Sequence, residues 1–193
     1  MKKYIYLLIL TFFSSSVLAE GFYGGIGYLK SDVNTYKYPS LTYSNYDDED
    51  DGFTIFGGYD FNKRFGVEAG YNDLGDTTGT VTAGPTTGNK EITVTTLAGV
   101  LKTDPIAENI VLFVKAGFAF IDQDEQIVGG TSPSEDTTNT FYGIGVNVEL
   151  SNGLIVRGLY EEYGKDDGQT DVTGAKADQI DPDVMSLSLI KRF

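Results

Sequence analysis

Four charged residues lie in segments that otherwise alternate apolar and small side chains: Glu68, Lys115, Arg157 and Glu161. Charges in such segments must be paired or hydrated, and two carboxylates with two cations can form a neutral network. The sequence has no histidine and no cysteine. Histidine is the commonest general base near neutral pH, and thiolate chemistry needs cysteine. We therefore predict that the protein is not an enzyme and uses no cofactor.

A run of five acids is the second feature that could do chemistry. It comprises Asp47, Asp48, Glu49, Asp50 and Asp51. Carboxylates are preferred ligands of Ca²⁺ and Mg²⁺, but the run lacks the alternation of ligand and spacer residues found in an EF-hand loop. A hydrated acidic loop, weak divalent-cation binding and a dedicated metal site stay open as three interpretations. Tyrosines at positions 36, 38, 43 and 46 lie before this run in the same predicted loop, and tyrosine suits protein recognition.

The overall charge and the first residues indicate an exported, acidic protein. The 193 residues carry 14 basic and 28 acidic side chains, a formal charge of −14, which argues against nucleic acid as a partner. Two lysines precede an apolar stretch at 4–13 that is too short to span a bilayer, and small residues follow up to Ala19. We predict a cleaved signal peptide at 1–19 and one mature domain at 20–193. A retained membrane anchor is the alternative.

Eight segments alternate apolar with small or polar residues at the period of two that marks a β-strand. They are residues 22–31, 52–61, 65–74, 90–102, 110–123, 139–150, 154–163 and 183–193. Short connections at 62–64, 103–109 and 151–153 alternate with long polar ones at 32–51, 75–89, 124–138 and 164–182. Each segment is near the length that a tilted transmembrane strand needs, about 9–11 residues. A soluble β-sandwich would not need such regularity.

These patterns predict an all-β fold, an eight-stranded antiparallel up-and-down transmembrane β-barrel. Four long loops would be extracellular and three short turns periplasmic, with both termini periplasmic. The expected location is the outer membrane of a Gram-negative bacterium, because strands cross a membrane only as a closed barrel.

The alternation also predicts which side chains face lipid and which face the interior. Glu68 and Lys115 fall on the interior face of their strands, and Arg157 and Glu161 do so if Tyr160 faces lipid. The four are therefore predicted to form an ionic network inside the barrel. Inward-facing glycines are expected to leave room for water around it.

One segment breaks the alternation. Ile92 and Val94 are out of phase with Leu97 and Leu101. A β-bulge near residues 95–96 would bring all four side chains to the lipid face.

The last strand ends in an aromatic residue on its lipid face. Met185, Leu187, Leu189 and Phe193 share one face at period two. We assign Leu187, Leu189 and Phe193 as a C-terminal signature for assembly into the outer membrane. Lys191 lies on the same face, and its long side chain can reach the interface.

The sequence FGGYDFN at 56–62, followed by GVEAGYNDLG at 66–75, resembles the transmembrane domain of outer membrane protein A. Segments 141–163 and 185–193 extend the similarity over most of the mature chain. The resemblance implies an eight-stranded barrel that the outer-membrane assembly machinery inserts, with charged side chains forming a plug inside it. We expect the barrel domain alone, without that family's peptidoglycan-binding domain.

The resemblance also assigns interior positions. Glu68, Lys115 and Arg157 match charged interior residues of the family. Two further charged positions of the family fall on Ala98 and Asn147 here, so its gating pair is absent. The family usually has an aromatic residue where this sequence has Lys191.

Two functions from different classes follow from the sequence. The first is a structural and surface-interaction role, in which acidic, tyrosine-rich loops contact a host or phage receptor. The alternative is a narrow passive channel for ions or small solutes. In either case we expect a monomer whose partners are outer-membrane lipid, lipopolysaccharide and the assembly machinery.

Overall fold

A computed structural model describes residues 21–35, 43–47, 49–81, 86–127, 134–164 and 180–193. Its strands are β1 Phe22–Thr35, β2 Tyr43–Asp47, β3 Glu49–Asp60, β4 Phe65–Val81, β5 Thr86–Lys102, β6 Ile110–Ile127, β7 Ser134–Glu149, β8 Leu154–Glu162 and β9 Ile180–Arg192. A 3₁₀ turn at Ser151–Gly153 joins β7 to β8. No helix in the described residues is long and apolar enough to cross a membrane. The predicted signal peptide, Tyr36, Tyr38 and Asp48 lie outside the described residues.

Eight of the strands form a closed antiparallel ring. The order around the ring is β4, β3, β1, β9, β8, β7, β6, β5, and β5 pairs with β4 to close it. The short strand β2 lies outside this ring and pairs with the far part of β4. The predicted eight-stranded antiparallel barrel is confirmed.

The register of the strands sets the tilt of the barrel. Starting at Phe22, cross-strand partners lead around the ring to Asp183 on β9. Asp183 pairs with Asp32, so the walk returns to β1 ten residues beyond its start. A shear of this size across eight strands corresponds to a tilt of about 40°. A barrel of eight strands is just wide enough for side chains to fill its interior.

The two ends of the barrel differ. One end, called here the turn end, carries Gly21, Phe193 and the short connections 61–64, 103–109 and 150–153. At the opposite end, called the loop end, the strands continue well beyond the predicted segments. Backbone pairing between β4 and β5 extends to Val81 and Thr86, and β6 still pairs with β7 at Asp124 and Ser134.

These extensions correct the predicted strand limits. Much of the long connections at 32–51, 75–89 and 124–138 is paired strand. The prediction stopped each strand where apolar residues became rare, but backbone hydrogen bonds between antiparallel strands continue regardless of side-chain polarity.

Apolar side chains cover the outside of the ring. Val114, Ile144 and Leu187 are 45%, 60% and 62% exposed. The residues that alternate with each of them along its own strand point inward. Exposed aromatic rings form one band near the turn end, with Phe61, Phe65 and Phe193, and another toward the loop end, with Tyr28, Phe53, Tyr71, Phe120 and Tyr142. An apolar band between two aromatic girdles is the surface of a membrane-spanning barrel.

The predicted bulge near residues 95–96 is wrong. Strand β5 pairs with β6 without a shift from Gly88 to Lys102, and Ile92 and Val94 are buried in the interior. The register shift next to β5 lies instead in β4, between Asp73 and Asp76. There Gly75 has a φ of +83°, a conformation that favours glycine.

Candidate functional site

The four predicted interior charges meet in the middle of the barrel. They come from three strands: Glu68 from β4, Lys115 from β6, and both Arg157 and Glu161 from β8. Arg157 Nη1 lies 2.5 Å from Glu68 Oε2, and Lys115 Nζ lies 3.1 Å from Glu68 Oε1. Lys115 Nζ is also 2.8 Å from Glu161 Oε1, an ion pair outside hydrogen-bond angles. The result is a neutral network of two carboxylates and two cations.

Uncharged partners complete the coordination of this network. The Tyr23 hydroxyl donates to Glu68 Oε2 at 2.9 Å, and Arg157 Nε donates to Asn147 Oδ1 at 2.9 Å. Glu68 and Arg157 are 3% and 1% exposed. Burial of charge at this level is sustained only by such close pairing, because an unpaired ion in the interior loses its hydration.

Aromatic rings surround the Arg157 guanidinium. Its Cζ atom lies 4.4 Å from the ring centre of Phe113, 4.9 Å from that of Phe56 and 5.8 Å from that of Tyr23. A guanidinium within about 6 Å of a ring face is attracted by the ring quadrupole. The rings therefore both stabilise the cation and fill the cross-section around it.

The same rings occupy the space beside the inward glycines, which corrects the expected room for water. A Cβ built on Gly25 would lie 2.4 Å from Phe56, and one on Gly58 would lie 2.3 Å from Tyr23. A Cβ on Gly145 would lie 2.4 Å from Phe113. Here glycine makes room for a neighbouring ring rather than for solvent.

A second ionic cluster closes the turn end. Lys102 Nζ lies 2.5 Å from Asp60 Oδ1, and Arg192 reaches both Asp60 at 3.6 Å and Glu149 at 2.8 Å. The sequence analysis did not single out Lys102. Its position could have been predicted, because Lys102 and the inward-facing Ala98 are four residues apart in one strand and so share a face.

Apolar side chains fill the interior on the loop-end side of the network. The cluster comprises Leu29, Leu74, Ile92, Val94, Ala98, Ala119, Ile121, Phe141, Tyr163 and Val184. The Phe141 and Tyr163 ring centres are 5.5 Å apart, and Asn72 donates to the Tyr163 hydroxyl at 2.8 Å. The sequence analysis missed this apolar section because it assumed that apolar side chains face outward along the whole length of each strand.

The structure describes the acidic run only in part. Asp50 and Asp51 are described with their side chains, and Tyr28 donates a hydrogen bond to Asp51. The backbone of Asp47 and Glu49 lies in strands. Among the described residues, no group of three or more His, Cys, Asp or Glu side chains could hold a metal ion.

The predicted C-terminal signature lies on the outer surface. Leu187, Leu189 and Phe193 are 62%, 49% and 42% exposed. The Phe193 amide donates to the Phe22 carbonyl at 3.0 Å, which ties the last residue to the first strand.

A closed ring with an apolar belt and a charged, filled interior defines an integral outer-membrane barrel. The sequence matches the model of the outer membrane protein beta-barrel domain over residues 5–193. The protein belongs to this family, and it is an outer-membrane β-barrel protein of the Gram-negative type.

Solved structures support the same fold. Ail, the attachment invasion locus protein of Yersinia pestis, in complex with the heparin analogue sucrose octasulfate, is 22% identical with a TM-score of 0.57, covering 91% of this chain and 100% of Ail. OprG from Pseudomonas aeruginosa is 13% identical with a TM-score of 0.66, covering 91% and 96%. Neisserial surface protein A is 12% identical with a TM-score of 0.59, covering 90% and 97%. At these identities the similarity shows the fold alone. No curated protein sequence matches this chain.

Proposed function

We propose that this protein is a sealed outer-membrane barrel with a structural and surface-interaction role rather than a channel. The observation that carries the proposal is the filled interior. An ionic cluster, the central network with its rings, and an apolar section follow one another along the axis. A solute would have to displace ion-paired or closely packed side chains at each level.

The orientation supports presentation of the loop end to the exterior. Because barrels of this kind have short periplasmic turns and longer extracellular connections, we propose that both termini of this chain lie in the periplasm. Beyond the loop-end aromatic band, strands β4 to β7 remain paired, and β2 adds to them. Such a paired extension is a stiffer platform for contact than an unpaired loop.

The charge of the chain limits the partners of that platform. Outward-facing acids at the loop end include Asp51, Glu91, Asp122, Asp124 and Asp136, all exposed. The Ail structure contains a sulfated heparin analogue, but a polyanion would be repelled here. We infer a host or phage receptor with a cationic or neutral surface. Lipopolysaccharide and the assembly machinery are the partners that the location requires, and the barrel acts as a monomer.

Conductance across a planar bilayer tests the sealed interior. Wild-type protein should give no steady conductance. Arg157→Ala alone should stay nearly silent, because the apolar section still blocks the path, whereas Arg157→Ala combined with Phe141→Ala should conduct. Arg157→Ala combined with Val114→Ala, which alters the lipid face instead, is the matched control and should stay silent. Steady conductance of the wild type would favour the narrow-channel alternative.

Adhesion tests the surface role. Cells that display the protein should bind beads coated with a cationic peptide more than cells without it, and should not bind heparin-coated beads. Equal binding to both kinds of bead would contradict the charge argument.

A further inference from the structure

Small residues interrupt the lipid face along one row of the barrel. Cross-strand partners in register are Lys191, Gly24, Gly57, Ala69 and Leu97, on β9, β1, β3, β4 and β5 in turn. All five face outward. The two glycines and the alanine at the centre of the row leave a hollow between larger apolar side chains on the same strands, such as Ile55, Tyr59 and Val67.

The hollow is a groove of about 700 Å³ in the outer wall. Gly24, Gly57 and Ala69 form its floor, while Tyr59 and Ile55 lie on its two sides. A Cβ on Gly57 would approach no atom closer than 3.6 Å, and one on Gly24 none closer than 3.8 Å. Larger residues would fit there and would favour the strand. Glycine in a strand often marks a place where a ligand approaches the backbone closely.

The groove has a direction. Because of the shear, the row climbs from the turn end toward the middle of the barrel as it passes from β9 to β5. Four strand spacings separate Lys191 from Leu97, which is about 19 Å. At a tilt of about 40° the rise is about 12 Å, within the ~15 Å depth of one leaflet. The groove therefore starts at the membrane interface and runs into one leaflet.

A fixed cation lies at the interfacial end. Lys191 breaks the apolar face that Met185, Leu187, Leu189 and Phe193 define, and its ammonium donates to the Asn152 carbonyl in the turn between β7 and β8. A lysine ammonium has three donors, so an anionic oxygen can bind beside that carbonyl. A phosphate linked to an acyl chain matches both the cation and the apolar groove.

We propose that this groove binds one phospholipid, with an acyl chain over Gly24, Gly57 and Ala69 and the phosphate on Lys191. The inference rests on the proposed orientation, which makes this lipid one of the periplasmic leaflet. A second copy of the barrel is a poorer occupant, because its apolar wall would cover Lys191 and leave the charge without a counter-ion.

Native mass spectrometry of the folded protein in detergent tests the site. The probes are phosphatidylglycerol and a diacylglycerol with the same chains but no phosphate. Wild-type protein should retain one phosphatidylglycerol and little diacylglycerol. Lys191→Ala should reduce retention about fivefold and Lys191→Arg should restore it. Gly57→Leu, which fills the groove, should reduce retention at least as much.

Gly158→Leu is the matched control. Gly158 also faces outward, and a Cβ there would approach only Val146 at 3.6 Å, but it lies away from the groove. This variant should retain phosphatidylglycerol as the wild type does. Equal retention by Gly57→Leu and Gly158→Leu, or equal retention of the two probes by wild type, would overturn the proposal. A dimer lost on Gly57→Leu would also overturn it, in favour of a second copy. None of these readouts depends on conductance or adhesion, so a failure here is distinct from a failure of the sealed-barrel proposal.

Discussion

Breaking the contact between Glu68 and Arg157 is the sharpest test of the interior network. Glu68→Ala would leave Lys115 and Arg157 facing Glu161 alone, and thus a net positive charge in the interior. Arg157→Ala would leave a net negative charge and a void between the rings of Phe56 and Phe113. In each single variant an ion remains buried without its partner.

The structure sets the size of the effect. Both side chains are 2% exposed, and their closest atoms are 2.5 Å apart. Removing one member of such a buried pair typically destabilises a protein by about 3–5 kcal/mol. The double variant removes both charges and leaves Lys115 paired with Glu161 at 2.8 Å, so its loss should be smaller than the sum. A coupling free energy of about 2–3 kcal/mol is expected.

Reversible urea titration of the barrel folded in lipid vesicles would measure this cycle. The matched control is the pair Arg64–Asp104 at the turn end, whose closest atoms are 2.6 Å apart but whose side chains are 60% and 65% exposed. The distance is nearly the same, so the comparison isolates burial. The exposed pair should show far weaker coupling, because water screens its charges. Equal coupling for the two pairs would refute the argument that burial gives the network its strength.

Three further outcomes follow from facing, packing and charge. Val114→Arg should destabilise the folded barrel in vesicles by about 2–4 kcal/mol, measured by urea titration, because its side chain faces hydrocarbon. Gly145→Ala should cost about 1–3 kcal/mol by overpacking, whereas Gly158→Ala should change stability by less than about 0.5 kcal/mol. The Arg64 guanidinium lowers the pKa of the Asp104 carboxyl, so Arg64→Gln should raise that pKa in an NMR titration. Since the folded-state pKa is depressed, this pair stabilises the fold above the unfolded pKa, and the contribution is lost as the pH falls through the folded pKa.

The ring of strands and the facing of its membrane part could be read from the sequence. Alternation in β4 and β6 placed Glu68 and Lys115 inside, and the structure brings both to Arg157. Period two is enough for this, because one face of each strand meets hydrocarbon and the other does not. The contact between Glu68 on β4 and Arg157 on β8 followed from closure of the ring, which brings strands far apart in the chain to face one another.

Three features could not be read in the same way. The ends of the strands depend on backbone pairing, which has no side-chain pattern once both faces are polar. The seating of Phe113 beside Gly145 depends on cross-strand register, which alternation within one strand does not fix. The burial of Ile92 and Val94 was misread because their phase was compared with Leu97 in the membrane part of the same strand.

The apolar residues of β5 lie on the outer face at Leu97 and on the inner face at Ile92. This change of face has a physical cause, which also accounts for the proposed seal. Within the membrane, lipid is as apolar as a leucine side chain, so turning apolar groups inward gains nothing and the interior can be ionic. Beyond the loop-end aromatic band the outer faces of the strands carry acids such as Glu91 and Asp122, which require water. There the hydrophobic effect acts as it does in a soluble barrel, and Ile92 and Ile121 turn inward. The strands keep a continuous register while the solvent outside them changes. The apolar section therefore arises because the paired strands continue out of the bilayer. In the proposed orientation, the same extension both presents the loop end to the exterior and fills the interior.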